Sequence, residues 1–159
     1  MKEYLRDAAD TDRDLLFAWA NEKEVRRNSF SKKQITYEEH SRWFLKIMQD
    51  DAYRQYIYMV GQVPAGQVRL QITGDTAEIS YSISAGYRGK GHGKKMLVCL
   101  REQVVRQEPQ IRTLTARVKT GNDKSKRVFL NMGFSDKYEL FELELDRKQC
   151  TWTDQNTQK

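Results

Sequence analysis

Two cysteines, two prolines and two histidines are all that 159 residues hold of those types, and each scarcity closes off a class of protein. Cys99 and Cys150 stand far apart and outside any CxxC pair. They are too few for a disulfide framework and wrongly spaced for structural zinc, so no metal is expected and a reducing, cytoplasmic setting fits. Both read as bystanders to any chemistry. Pro64 and Pro109 are too few to mark a proline-rich linker, and no internal repeat is present. No apolar run approaches the ~18 residues of a membrane helix. The first residues lack the apolar core of a secretory signal. No membrane partner is therefore expected. The remaining composition, 38% apolar and 11% aromatic, excludes compositional disorder. The length suits one domain, expected over residues 1–146 with a loose polar tail over 147–159.

Acidic residues are the other shortage. Asp and Glu number 22 against 28 Lys and Arg, a net charge of +6. Such a balance suits an anionic partner: nucleic acid, an acidic membrane or a small phosphorylated ligand. Two cationic clusters are local: Arg88 to Lys95, and Lys124, Lys126 and Arg127. No helix-turn-helix or RNA-binding aromatic pattern accompanies them, so a nucleic-acid partner is not expected.

Periodicity orders the chain as strand, two helices, antiparallel meander, helix, strand, helix, strand. "TDRD" (Thr11 to Asp14) has the form of a capping box before Leu15, Leu16 and Trp19. A second box, "TYEE", opens a stronger helix with His40, Trp43, Phe44, Ile47 and Met48 on one stripe. Three alternating runs follow: Arg54 to Val60, Gly66 to Ile72 and Ala77 to Ile83. In the third, Ala77, Ile79, Tyr81 and Ile83 share one face, and Glu78, Ser80 and Ser82 the other. Met96, Leu97, Leu100 and Val104 continue as a helix that Pro109 ends. Thr113 to Val118 reads as a strand. Asn122 caps a helix over Asp123 to Met132, closed by Gly133 in a left-handed conformation. "YELFELEL" (Tyr138 to Leu145) alternates as a last strand would. The layout is α+β, or mixed α/β, with a partly parallel second half.

The densest signal is "YRGKGHGKKM", glycine-rich and cationic, between a strand and a helix. The first N–H groups of a helix have no internal acceptor, and the helix dipole adds about half a positive charge there. Glycine lets the backbone approach a ligand and take positive φ. Together they seat a phosphate or pyrophosphate. A Walker loop is excluded, because Arg88 fills its first glycine position and Lys95 its Ser/Thr position. A dinucleotide fingerprint fits Gly89 and Gly91 but meets Lys94 at its third position. What remains is Arg88-x-x-Gly91-x-Gly93 after a strand.

That arrangement resembles the pyrophosphate loop of the GNAT acetyltransferases, R/Q-x-x-G-x-G/A. "NDKSKRVFLNMGF" (Asn122 to Phe134) resembles the family's second motif. The resemblance implies a GNAT-like fold: a mostly antiparallel twisted sheet, helices on both faces, and a splayed parallel strand pair. It implies acetyl-CoA as co-substrate. Arg88 and the amides of Gly89, Lys90, Gly91, His92, Gly93 and Lys94 would hold the pyrophosphate. Tyr81, Ser82 and Ile83 would pair with the pantetheine arm, with Asn122, Ser125 and Phe129 on the cofactor's other side. Direct transfer to a primary amine asks for a base, for which Glu78 is the first candidate and His40 the second. It also asks for an N–H aimed at the developing oxyanion, near Ile83. The His92 side chain reads as solvated. Many family members carry a general-acid tyrosine where this chain has Phe129, so Tyr81, Tyr138, Ser125 through water, or no acid at all are the alternatives.

The segment from Asp14 to Phe44 is similar to the branch that N-acetylates amino-sugar nucleotides in pseudaminic and legionaminic acid pathways. This implies a small-molecule amine acceptor, a nucleotide sugar, with Arg26 at its diphosphate and Trp43 stacked on it. A homodimer is compatible with this reading. Ribosomal-protein or peptide N-terminal acetylation is the neighbouring alternative, and a non-catalytic acyl-CoA-binding module is a third.

Overall fold

A computed structural model describes residues 1–145; the tail expected over 147–159, with Cys150, lies outside the described residues. The elements are β1 (Glu3–Asp7), α1 (Arg13–Ala20), α2 (Lys23–Asn28), α3 (Tyr37–Gln49), β2 (Tyr53–Val60), β3 (Val63–Thr73), β4 (Thr76–Ile83), α4 (His92–Gln107), β5 (Thr113–Ala116) and α5 (Asp123–Asn131). The strands form one sheet in sequential order, antiparallel except for the parallel β4–β5 pair. No helix among the described residues is long and apolar enough to cross a membrane.

Strand alternation sorts the sheet's two faces. One face presents Tyr56, Tyr58, Val68, Leu70, Ala77 and Ile79 to Met96, Leu97, Leu100 and Val104 of α4 and to Phe129 of α5, forming the larger core. The other places Ile57 and Met59 against Leu16, Trp19 and Phe44 of α1 and α3. Toward β4 that second face turns polar, through Gln67, Arg69, Glu78, Ser80 and Ser82. Helices α1–α3 therefore cover a floor that is apolar at one edge and hydrophilic at the other.

The local readings hold where neighbours agree with them. Thr36 Oγ1 accepts from Glu39 N–H at 3.2 Å, and Glu39 Oε2 accepts from Thr36 N–H at 2.9 Å. Asn122 Oδ1 accepts from Ser125 N–H, and Gly133 takes φ +90° after α5. The box expected at "TDRD" is not formed. Asp12 instead accepts from Ala9 N–H and from both terminal nitrogens of Arg6, at 2.7–2.8 Å. Thr11 lies inside a short 3₁₀ turn, Asp10–Asp12, that runs into α1, and the Asp14 carboxylate that would close the box accepts from the Tyr37 hydroxyl. Arg6 holds the Asp12 carboxyl below the usual carboxylate range. An additional short helix, α2, separates the two helices expected before the meander.

The last expected strand is absent. Residues 135–145 adopt no regular structure, and Tyr138, Leu140, Phe141, Leu143 and Leu145 are exposed. Alternation specifies a face but not a partner. The neighbouring edge strand, β5, is only four residues long and presents Thr113 and Thr115 to solvent.

The contrast has a direct check by urea denaturation. Leu100→Ala, in the fully buried α4 stripe, is expected to lower unfolding free energy by about 2–5 kcal/mol. Leu140→Ser is expected to change it by less than about 0.5 kcal/mol. A comparable loss at Leu140 would place that segment back in the sheet.

Candidate active site

A cleft of about 880 Å³ passes from the polar floor beneath α1–α3, over the end of β4, to the start of α4 and α5. Its shape follows from the parallel pair. β4 and β5 pair only from Thr76/Thr113 to Ile79/Ala116. β4 continues through Ser80, Tyr81, Ser82 and Ile83 with β3 on one side and, among the described residues, no strand on the other. The backbone edge left bare there is the splay that the fold class called for.

Beyond Ile83, the loop turns through Gly89 (φ +71°) and Gly91 (φ +81°) into α4. Only glycine takes these conformations without strain. A side chain at either position would also stand in otherwise open space facing the cleft. The first helical bond at this end runs from Lys95 N–H to the Gly91 carbonyl. The N–H groups of Gly89, Lys90, Gly91, His92, Gly93 and Lys94 have no acceptor among the described residues. They form a run of donors at the positive end of a 16-residue helix.

The cations around the loop are mostly engaged elsewhere. Arg88 Nε donates to the Ile83 carbonyl at 2.8 Å, and its terminal nitrogens pair with Glu22, at the N-cap of α2, and Glu24, in its first turn. Lys90 Nζ donates to the Gly86 carbonyl and Lys95 Nζ to Glu3. Arg88 thus acts as a staple that joins the loop, the end of β4 and α2. The His92 side chain is not solvated, as its sequence position suggested. Only 11% exposed, it lies between the rings of Tyr58 and Tyr87, with Nδ1 3.1 Å from the Tyr58 hydroxyl. The Tyr58 that it meets is a core residue, and burial pushes that phenol upward. The amide of His92 remains in the donor run.

Asn122, Ser125 and Phe129 lie across the splay from the loop, on or beside α5. Phe129 packs edge-on against Tyr81 and Phe134. The Tyr81 hydroxyl stands 3.1 Å from Ser125 Oγ, and a Cβ at Gly93 would lie 3.9 Å from it. Burial raises the Tyr81 pKa above that of a free phenol, so the group stays protonated and can donate. Tyr138, another phenol considered, is exposed and does not line the cleft.

On the acceptor side, Glu78 is forked by Arg117. Nε lies 3.1 and 3.2 Å from the two carboxylate oxygens, and Nη2 lies 2.9 Å from one. Arg117 in turn stacks on Phe30. His40 is buried among Phe17, Trp43 and Phe44, with Nε2 2.9 Å from the Arg13 carbonyl. Burial lowers its pKa. That ring is a neutral pin between α3 and α1, with Nε2 occupied. Arg26 directs Nε to the Ala20 carbonyl, Nη1 to the Ser31 and Lys33 carbonyls, and Nη2 to Ser29. Every nitrogen of that guanidinium is used in shaping the loop after α2. Trp43 faces the cleft and carries Arg69 over its ring.

Four participants were missed in the sequence: Arg69, Arg117, Glu22 and Glu24. Arg69 sits at a polar position of the β3 alternation, and pairing β3 with β4 puts it opposite Ser80. Assigning the faces of β3 as well as β4 would have found it. The Arg88 and Arg117 pairings join residues remote in sequence and leave no local trace.

The model of the GNAT acetyltransferase domain matches residues 4–135. No curated protein matches in sequence. Among solved structures, spermidine N-acetyltransferase from Vibrio cholerae, in complex with CoA and spermine, superposes with a TM-score of 0.79 at 20% identity, covering 90% of this chain and 86% of that one. A domain from Methanocaldococcus jannaschii gives 0.78 at 22% identity, covering 89% and 93%. The aminoglycoside acetyltransferase AAC(6')-Ib, with paromomycin and acetyl-CoA, gives 0.77 at 18% identity, covering 86% and 85%. With that match over most of its length, and with the glycine loop, bare β4 edge and capped α5 in one cleft, the chain belongs to the GNAT acetyltransferase family.

Proposed function

We propose that this acetyltransferase transfers acetyl from acetyl-CoA directly to a primary amine of an amino-sugar nucleotide. The observation that carries the acceptor class is the charge of the acceptor half of the cleft, where Arg26, Arg69 and Arg117 stand against one carboxylate, Glu78. A neighbouring structure holds spermine, a polycation that such a lining would repel. The same argument disfavours basic peptide N-termini. Trp43 and the aromatic cluster around His40 supply a flat wall for a sugar or base.

In this reading the amides from Gly89 to Lys94 bind the cofactor's diphosphate, each N–H to a charged oxygen contributing roughly 1.5–3 kcal/mol. The bare edge of Ser80–Ile83 binds the pantetheine arm and aims an N–H at the reacting carbonyl's oxygen. The cofactor supplies an activated thioester. Tyr81, held by Ser125, donates the proton that the departing thiolate takes up. It fills from β4 the part that Phe129, on α5, cannot play. Glu78 faces the acceptor half and receives the incoming ammonium. Arg117 donates three N–H contacts to that carboxylate and holds it in place. The ammonium gives its first proton through water along the Glu78, Ser80 and Ser82 row to bulk solvent, and the second proton, lost from nitrogen after attack, replaces the one that Tyr81 gives to the thiolate. His40, with Nε2 bound to a carbonyl, shapes the wall and takes no proton. Arg26 holds the loop that closes the acceptor side.

Acetyl-CoA consumption measured with UDP-linked amino sugars and with basic N-terminal peptides tests the acceptor. Turnover with a nucleotide sugar and none with peptides is expected, and the reverse would overturn the reading. Tyr81→Phe is expected to lower kcat by about 10²- to 10⁴-fold with the affinity for CoA retained. An unchanged kcat would remove Tyr81 from proton transfer.

A further inference from the structure

Arg69 projects from the middle of β3, opposite Ser80 on β4, into the acceptor half of the cleft. Its guanidinium carbon lies 5.1 Å from the centre of the Trp43 ring. Among the described residues it has no hydrogen-bond acceptor and no carboxylate at ion-pair distance; burial weakens its hold on the proton, and only more distant charges act the other way. The groups that face it leave the charge uncompensated. Glu78 is held by Arg117. His40 is neutral. The nearby Tyr53 is a phenol. The other arginines reaching this half, Arg26 and Arg117, are committed to carbonyls and to Glu78.

A desolvated cation with no counterion is costly in a fold. Stacking on an indole recovers only part of that cost. Arginine is the residue whose planar fork matches a phosphate or carboxylate, and here the fork opens into empty cleft.

We infer that Arg69 is the recognition site for an anionic group, phosphate or carboxylate, carried by the acceptor itself and separate from the diphosphate of the cofactor. The inference rests on the acetyl-transfer reading above and specifies its substrate. β4 advances about 3.3 Å per residue. Arg69, opposite Ser80, therefore lies about 7 Å back along the sheet from Ser82. That is about the span of one pyranose ring with its substituents. The anion and the reacting amine then sit at opposite ends of a single sugar. Trp43 holds the guanidinium flat and narrows the approach to it.

The test uses the full chain saturated with CoA, so that the glycine loop is filled. The Arg69 Nε–H resonance, assigned with Arg69→Lys, is followed in ¹⁵N NMR while glucosamine 1-phosphate, galacturonic acid or methyl glucosaminide is added. A saturable shift with the phosphate or the uronate, and none with the neutral glycoside, is expected. The arm that responds identifies the anion. No shift with either anion overturns the inference. In parallel, Arg69→Met is expected to lower kcat/KM for an anionic acceptor about ten- to a hundredfold through KM. It should leave the Kd for CoA unchanged, and Arg69→Lys should restore part of the loss. Equal losses on anionic and neutral acceptors would also overturn it. If no amino sugar is turned over at all, the proposed acceptor class fails, and the resonance titration still decides the role of Arg69.

Discussion

Six consecutive peptide N–H groups without acceptors are the constraint on which the rest of this molecule turns. Every helix leaves its first four N–H groups without an internal acceptor; here the loop before α4 adds two more, and the run opens to the cleft and to solvent. Here they are left so by construction. Two glycines at positive φ swing the chain into α4, and the helix can satisfy its own donors only from Lys95 onward. The surrounding lysines and arginines look like the anion site in the sequence. In the structure Arg88, Lys90 and Lys95 are tied to protein oxygens. On the proposed reading, backbone geometry makes the seat, with Lys94 the loop cation that still faces the cleft.

The two halves of the cleft share one strand. The apolar row of β4 packs on α4 and α5 and carries Tyr81 to Ser125. Its polar row, Glu78, Ser80 and Ser82, floors the acceptor side. A cofactor arm lying along the bare edge of Ser80–Ile83 would therefore meet the acceptor across a single strand's thickness. Arg88 adds a mechanical link, because the guanidinium that bonds Ile83 also holds Glu22 and Glu24 next to α2. One guanidinium thus ties the end of β4 to the start of α2.

Most of the fold was legible because period and local chemistry agreed. The stripe of α3, the faces of β4 and the caps at Thr36 and Asn122 each depend on neighbours a few residues away, so the sequence carries them. What was not legible depends on remote partners. Thr11 was expected to cap α1, but it lies inside a 3₁₀ turn and Tyr37 on α3 captured Asp14. The alternation of Tyr138–Leu145 described a face without naming a strand to pair with. The glycine loop stands out in the sequence and lines the cleft in the structure. Arg26, expected at an acceptor's diphosphate, is bonded to protein oxygens. Arg69 carried no expectation, and the register of β3 against β4 is what places it in the cleft.

The central claim concerns the amide run, and hydrogen exchange at those six positions tests it most directly. With CoA bound, the N–H groups from Gly89 to Lys94 should become strongly protected and shift together in ¹⁵N spectra, while pantetheine, which lacks the diphosphate, should leave them unchanged. Saturable CoA binding that left those six amides exchanging as before would contradict the account.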